Sequence, residues 1–107
     1  MERLETTVVA GNVVELNCTM NASCFDQSFL WRHYSAFNSW GEIWSFGYSL
    51  NPRLMVRRVN VDSDTANGRS VLTIPRARLT DAGIFYCLGY RHRYCRMSFQ
   101  LIVAGNM

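Results

Sequence analysis

Four cysteines, Cys18, Cys24, Cys87 and Cys95, stand two near the start and two near the end of a chain of 107 residues. None forms a Cys-x-x-Cys pair, and no histidine follows at zinc-finger spacing. An even cysteine number in so short a chain points to two disulfides and an oxidising compartment, not to a metal site. A domain of this size buries only a modest core, so cross-links matter to its stability. The hydrophobic fraction of 49% is that of a globular domain and excludes intrinsic disorder. Residues 1–107 read as a single domain with its core at about 6–103.

Two glycosylation acceptors agree with that compartment, Asn17-Cys18-Thr19 and Asn21-Ala22-Ser23. Both overlap the end of one predicted strand. The sequence shows neither a signal peptide nor an apolar run of about 18 residues. The expectation is a piece of an extracellular glycoprotein, from a cell surface or a virion envelope, with its membrane anchor outside this sequence and Met1 an added start. The net charge is +3, and every basic residue is arginine. Arginine favours planar, bidentate contacts with carboxylates and aromatic faces; a GC-rich coding genome would produce the same usage.

The hydrophobic pattern reads as short strands between turns, with no long amphipathic helix. Strands are expected at 6–10, 13–19, 28–34, 42–48, 54–61, 70–74, 84–90 and 99–103, with 62–68 a loop of turn-forming residues. Such a succession predicts an all-β sandwich.

Three positions then carry a resemblance. Trp31 lies thirteen residues after Cys18, and Cys87 lies 69 after it. The run Leu79-Thr80-Asp81-Ala82-Gly83-Ile84-Phe85-Tyr86-Cys87 leads into the second of these cysteines. The chain resembles the immunoglobulin variable set over about 6–103. That resemblance implies an immunoglobulin-like, V-type antiparallel β-sandwich with a Cys18–Cys87 bridge between the sheets and Trp31 packed on it. It also implies a structural ion pair from Asp81 to Arg58 or Arg57. Cys24 and Cys95 then fall in loops at the same end of the sandwich, where a second bridge between them is sterically reasonable. Each bridge closes about 70 residues, worth on the order of 4 kcal/mol in the chain-entropy model, with less for the second of two nested loops. The second bridge either pins the loop before Cys95 or compensates for a weak core.

Besides the second cysteine pair, two further departures accompany the resemblance. Phe85 stands where the family has a corner tyrosine, removing a hydroxyl bond of about 1 kcal/mol. Met97-Ser98-Phe99-Gln100 replaces the Phe-Gly-x-Gly bulge of rearranged antigen receptors.

Two candidate binding surfaces follow. The segment Tyr90-Arg91-His92-Arg93-Tyr94 combines tyrosine and arginine, the residues enriched in binding hot spots, and contains no acid; a solvated basic loop is its plainer reading. Around the fourth strand stand Phe37, Trp40, Trp44, Phe46 and Tyr48. Simple alternation sends Trp44, Phe46 and Tyr48 to one face and Ile43, Ser45 and Gly47 to the other. Trp40, Trp44 and Tyr48 are therefore expected in a partner-binding patch. His33 and His92 are candidates for a pH-dependent interface.

No Ser–His–Asp set, phosphate-cradling glycine loop or close carboxylate pair is evident, so a binding module is expected, not an enzyme. No cofactor is expected, no metal since further ligands are not evident, and no nucleic-acid partner since acids are interspersed among the arginines. In style the chain looks like the immune-evasion glycoproteins of large DNA viruses, of the cytomegalovirus type. That implies a host immune protein as partner, with the Fc region of immunoglobulin G the leading choice. The alternatives are a host adhesion or costimulatory domain pairing through its aromatic sheet, as a homodimer or with another such domain, and a glycan reader.

Overall fold

In β2 (Val14–Thr19) every second side chain is buried, Val14, Leu16 and Cys18, while Glu15, Asn17 and Thr19 are exposed. That two-residue period makes one face of the strand apolar, and the apolar face needs a second layer. The computed structural model describes residues 3–25, 29–35, 38–55, 59–89 and 95–105. Within them β2 pairs antiparallel with β7 (Arg69–Ile74), and β7 with β6 (Asn60–Asp64). The facing sheet has six strands. They are β1 (Arg3–Val9), β9 (Arg96–Ala104), β8 (Gly83–Gly89), β3 (Phe29–Ser35), β4 (Asn38–Phe46) and β5 (Ser49–Leu50), in that spatial order. β1 runs parallel to β9, and every other pairing is antiparallel. Two strands beyond β3 on this sheet give the V-type immunoglobulin-like sandwich.

The sheets are joined twice at one level of the core. On the three-stranded sheet Cys18 lies opposite Ser70. On the six-stranded sheet Trp31 lies opposite Cys87. The Cys18–Cys87 disulfide connects the two pairs, and Trp31 Nε1 donates to Ser70 Oγ at 2.9 Å beside it. Cys18, Trp31, Ser70 and Cys87 are all fully buried. The indole also lies over Phe99, with ring centroids 5.6 Å apart. A buried indole N–H left without an acceptor is costly, so Ser70 makes this tryptophan position tenable.

The second disulfide joins Cys24 to Cys95, with Cα atoms 5.4 Å apart. Gly89 passes directly beneath it: its N–H donates to the Cys95 carbonyl at 2.7 Å. A Cβ at 89 would stand 2.8 Å from Cys95 Cβ and 2.7 Å from the Cys24 carbonyl oxygen. The bridge therefore requires glycine here for close approach.

At the other end of β8, Phe85 is fully buried with its ring stacked on His33, centroids 4.3 Å apart. His33 Nε2 lies 3.2 Å from the Ala82 carbonyl. A carbonyl only accepts, so Nε2 carries the proton. His33 thus binds the corner backbone from which Phe85 has no hydroxyl to donate. Asp81 is also buried, and its Oδ2 accepts the Arg78 N–H at 2.8 Å. Arg57 and Arg58, its expected partners, lie outside the described residues.

Two expected elements differ. The strand expected over 54–61 is split into a single helical turn, α1 (Pro52–Met55), and β6. Pro52 suits a first helical position, and Asn51 Oδ1 accepts the Arg53 N–H at 3.1 Å, capping the turn. β6 in turn extends into the segment expected as loop. The left-handed Gly68 closes the 3-10 turn Thr65–Asn67 before β7.

Burial pushes the His33 pKa below its ordinary 6.5; nearby Asp81 and Glu42 and the corner backbone oppose the shift without cancelling it. Unfolded chains then bind more protons than folded ones below about pH 6.5, so stability falls with pH from there. Urea midpoints from about pH 7.5 to about pH 5.5 should fall for the native chain and fall less for His33→Gln. Ser70→Ala, leaving the indole N–H unpaired, should cost about 1–3 kcal/mol in the same assay.

Candidate functional site

The outer face of the six-stranded sheet is set by the side chains that alternate with the core. In β3 Phe29, Trp31 and His33 point inward, which places Leu30, Arg32 and Tyr34 outward. β4 does not continue a plain alternation. Arg32 lies opposite Ile43, but the next β3 residue toward the N-terminus, Trp31, lies opposite Ser45. Trp44 is the extra residue of a β-bulge. Asn51 holds the bulge: its backbone N–H donates to the Trp44 carbonyl at 2.8 Å and its Nδ2 to the Ile43 carbonyl at 3.0 Å.

The bulge decides which aromatics reach the surface. Trp44 and Ser45 are both buried, whereas Ile43 and Phe46 are 41% and 47% exposed. The expectation that Trp44 belongs to a partner-binding surface is therefore corrected. Its ring lies edge-on to Phe85 and His33, with centroids 5.0 and 4.9 Å away, and its Nε1 donates to Glu42 Oε1 at 3.0 Å. Simple alternation failed because one inserted residue reverses the facing of everything after it. His33 is likewise core, so it cannot serve an interface directly.

Trp40 and Tyr48 are each 71% exposed. Trp40 lies toward the hairpin end of β4, and its carbonyl accepts from Arg32 Nη2 at 3.2 Å. Tyr48 occupies the β4–β5 turn, with its ring edge-on to Phe29 and its hydroxyl 2.8 Å from Thr65 Oγ1. Tyr90, Arg91, His92, Arg93 and Tyr94 lie outside the described residues, as do Phe37 and Arg58. The segment 90–94 is bracketed by Gly89 and Cys95, the residues packed around the second disulfide.

The structure adds residues that the sequence reading did not select. Arg32 lies over the Tyr34 ring, 5.5 Å from its centroid, and Arg96 over the Tyr86 ring at 4.4 Å. Tyr34 and Tyr86 meet edge to face at 5.6 Å. These four form a ladder across β3, β8 and β9. Gly41 makes room for it, since a Cβ there would stand 2.5 Å from the Tyr34 ring and 2.7 Å from Arg32 Nε. Counting outward positions from Trp31 would have found Arg32 and Tyr34; the partners on β8 and β9 needed the strand register.

Asn17 and Asn21 are exposed. Asn17 stands on the outer face of the three-stranded sheet, and Asn21 caps the 3-10 turn Ala22–Cys24, accepting from Ser23 N–H and Oγ at 3.1 Å each. Between β4–β5 and β6 lies an open cavity of about 180 Å³, lined by Ser45, Tyr48, Val61 and Ser63 among others. That is small beside the roughly 300–1,000 Å³ of typical small-molecule sites. Among the described residues no three His, Cys, Asp or Glu side chains cluster to hold a metal, and no helix is long and apolar enough to cross a membrane.

No protein-family model and no curated protein matches the chain. Solved structures do. The first immunoglobulin domain of ZIG-8, crystallised as a homodimer, is 25% identical with a TM-score of 0.73, covering 97% of this chain and 81% of that one. The first immunoglobulin domain of the mouse polymeric immunoglobulin receptor is 16% identical with a TM-score of 0.76, over 98% of this chain and 93% of that one. The second domain of the same receptor is 16% identical with a TM-score of 0.79, over 99% and 100%. This chain is an immunoglobulin-like domain, held by two disulfides.

The two tryptophans of β4 should respond oppositely to truncation. Trp44→Ala should lower unfolding stability by about 3–5 kcal/mol, and Trp40→Ala should change it by no more than about 0.5 kcal/mol. Urea denaturation of the oxidised variants checks both.

Proposed function

We propose that this domain is an extracellular protein-binding module that docks its partner on the outer face of the six-stranded sheet. The observation that carries the reading is the exposure of Trp40, Ile43 and Phe46 along β4, where the bulge at Trp44 brings Phe46 to the same face as Ile43. Exposed apolar side chains gathered on one face mark interaction surfaces more often than scattered ones do. Arginine and tyrosine beside them supply the side chains that dominate binding hot spots. The disulfide-bonded fold favours an extracellular setting.

The specific partner proposed is a host immune protein, first the Fc region of immunoglobulin G, with the domain acting in viral immune evasion. The basic Tyr90–Tyr94 segment and the arginine-only composition support that choice. The ZIG-8 domain, crystallised as a homodimer, supports a second reading in which the same face pairs with a second copy.

Binding to purified Fc, followed by surface plasmon resonance, tests the specific partner. Trp40→Ala should weaken it at least tenfold while leaving the fold intact. No binding of Fc by the oxidised native domain would remove Fc as the partner. Sedimentation tests the second reading: a dimer dispersed by Trp40→Ala would assign the face to self-pairing. Complexes of either kind indifferent to Trp40→Ala and to Ile43→Asp would move the site off this face.

A further inference from the structure

Among the described residues the two outer faces of the sandwich carry opposite charge. On the three-stranded sheet β2 exposes Glu15, and β6 exposes Asp62 and Asp64, against the single guanidinium of Arg69 from β7. Arg69 itself reaches Asp64 at 3.8 Å. Both glycosylation acceptors also belong to this side, Asn17 on β2 and Asn21 in the turn that follows it. On the six-stranded sheet the outward positions hold Arg32 and Arg96, with Arg3 opposite Ser98 and Glu5 opposite Gln100 on the edge strand β1. Glu42, on β4, is occupied by Arg53 and by the Trp44 indole. Among the described residues no carboxylate pairs with Arg32 or Arg96. Their guanidinium planes rest on tyrosine rings, which fixes them in place without neutralising them.

Resting on the docking reading above, we propose that the partner presents an acidic protein surface. Its carboxylates meet Arg32 and Arg96, and an apolar anchor covers Ile43, Phe46 and Trp40. Charge complementarity selects such a partner and steers its approach. A like-to-like dimer would bring the same excess of guanidinium groups into contact from both sides. Front-to-back stacking of copies would match the charges, but it would require the face that carries the sequons. A sulfated glycan would satisfy the arginines and leave the exposed apolar side chains uncovered.

Selection on the oxidised domain from a displayed library of a small folded scaffold with randomised surface residues tests this. Enriched binders should be rich in Asp and Glu around an aromatic or aliphatic residue and should weaken as salt rises. They should lose at least tenfold in affinity on Arg96→Gln and on Trp40→Ala, with Arg32→Gln as a second charge variant and circular dichroism confirming each fold. Neutral or basic binders that still require Trp40 would overturn the acidic partner while leaving the docking face standing. Binders indifferent to all three substitutions would overturn the docking face itself. Displacement of acidic binders by short heparin fragments, with no contribution from Trp40, would assign the arginines to a glycan and refute the proposal. Salt-sensitive polymers of the unglycosylated domain in sedimentation would assign the charge match to its own copies.

Discussion

A box of four buried side chains spans the sandwich, and the rest of the fold is arranged around it. Cys18 and Ser70 are cross-strand neighbours on one sheet, Trp31 and Cys87 on the other. One side of the box is a disulfide and the opposite side is the indole-to-hydroxyl hydrogen bond. The covalent side restricts the unfolded chain. The hydrogen-bonded side lets the Trp31 indole lie in the core between both sheets without an orphaned donor. With both sides in place the register of β2, β3, β7 and β8 is set, and a one-residue slip in any of them would turn its apolar row outward.

Surface chemistry follows from that register except along β4, whose pairing with β3 shifts twice. β3 carries Leu30, Arg32 and Tyr34 outward because Trp31 is fixed inward. β4 would place its aromatics on a single face if it were regular. The bulge at Trp44, braced by Asn51, splits them instead: one tryptophan completes the core around His33 and Phe85, and the residues on either side, Ile43 and Phe46, reach solvent. An irregularity of one residue thus separates a core from an exposed apolar surface.

How far the sequence discloses this depends on the scale of the interaction. The sandwich, the Cys18–Cys87 bridge and the buried Trp31 rest on spacings characteristic of a family, and the structure has them. The Cys24–Cys95 bridge was legible because the family resemblance puts both cysteines in loops at one end of the sandwich, although the glycine that accommodates it was not. Trp44 was misread because alternation is a local rule and a bulge is stabilised from elsewhere, here by Asn51 across the β4–β5 turn. The helical turn at Pro52 was missed although Asn51 and Pro52 together are a start signal for a helix. The arginine–tyrosine ladder required three strands in register. The segment Tyr90–Tyr94, one of the two surface candidates in the sequence, lies outside the described residues.

Trp44 faces the core at the bulge while Trp40 faces solvent, and the three tryptophans of the chain allow this to be read directly. Brief oxidation of the native, disulfide-bonded domain, followed by peptide mass spectrometry, reports which indoles solvent reaches. Modification of Trp40 with Trp31 and Trp44 protected until the chain unfolds is the predicted result. Oxidation of Trp44 in the native state at the rate of Trp40 would contradict the bulge, and with it the surface derived from it.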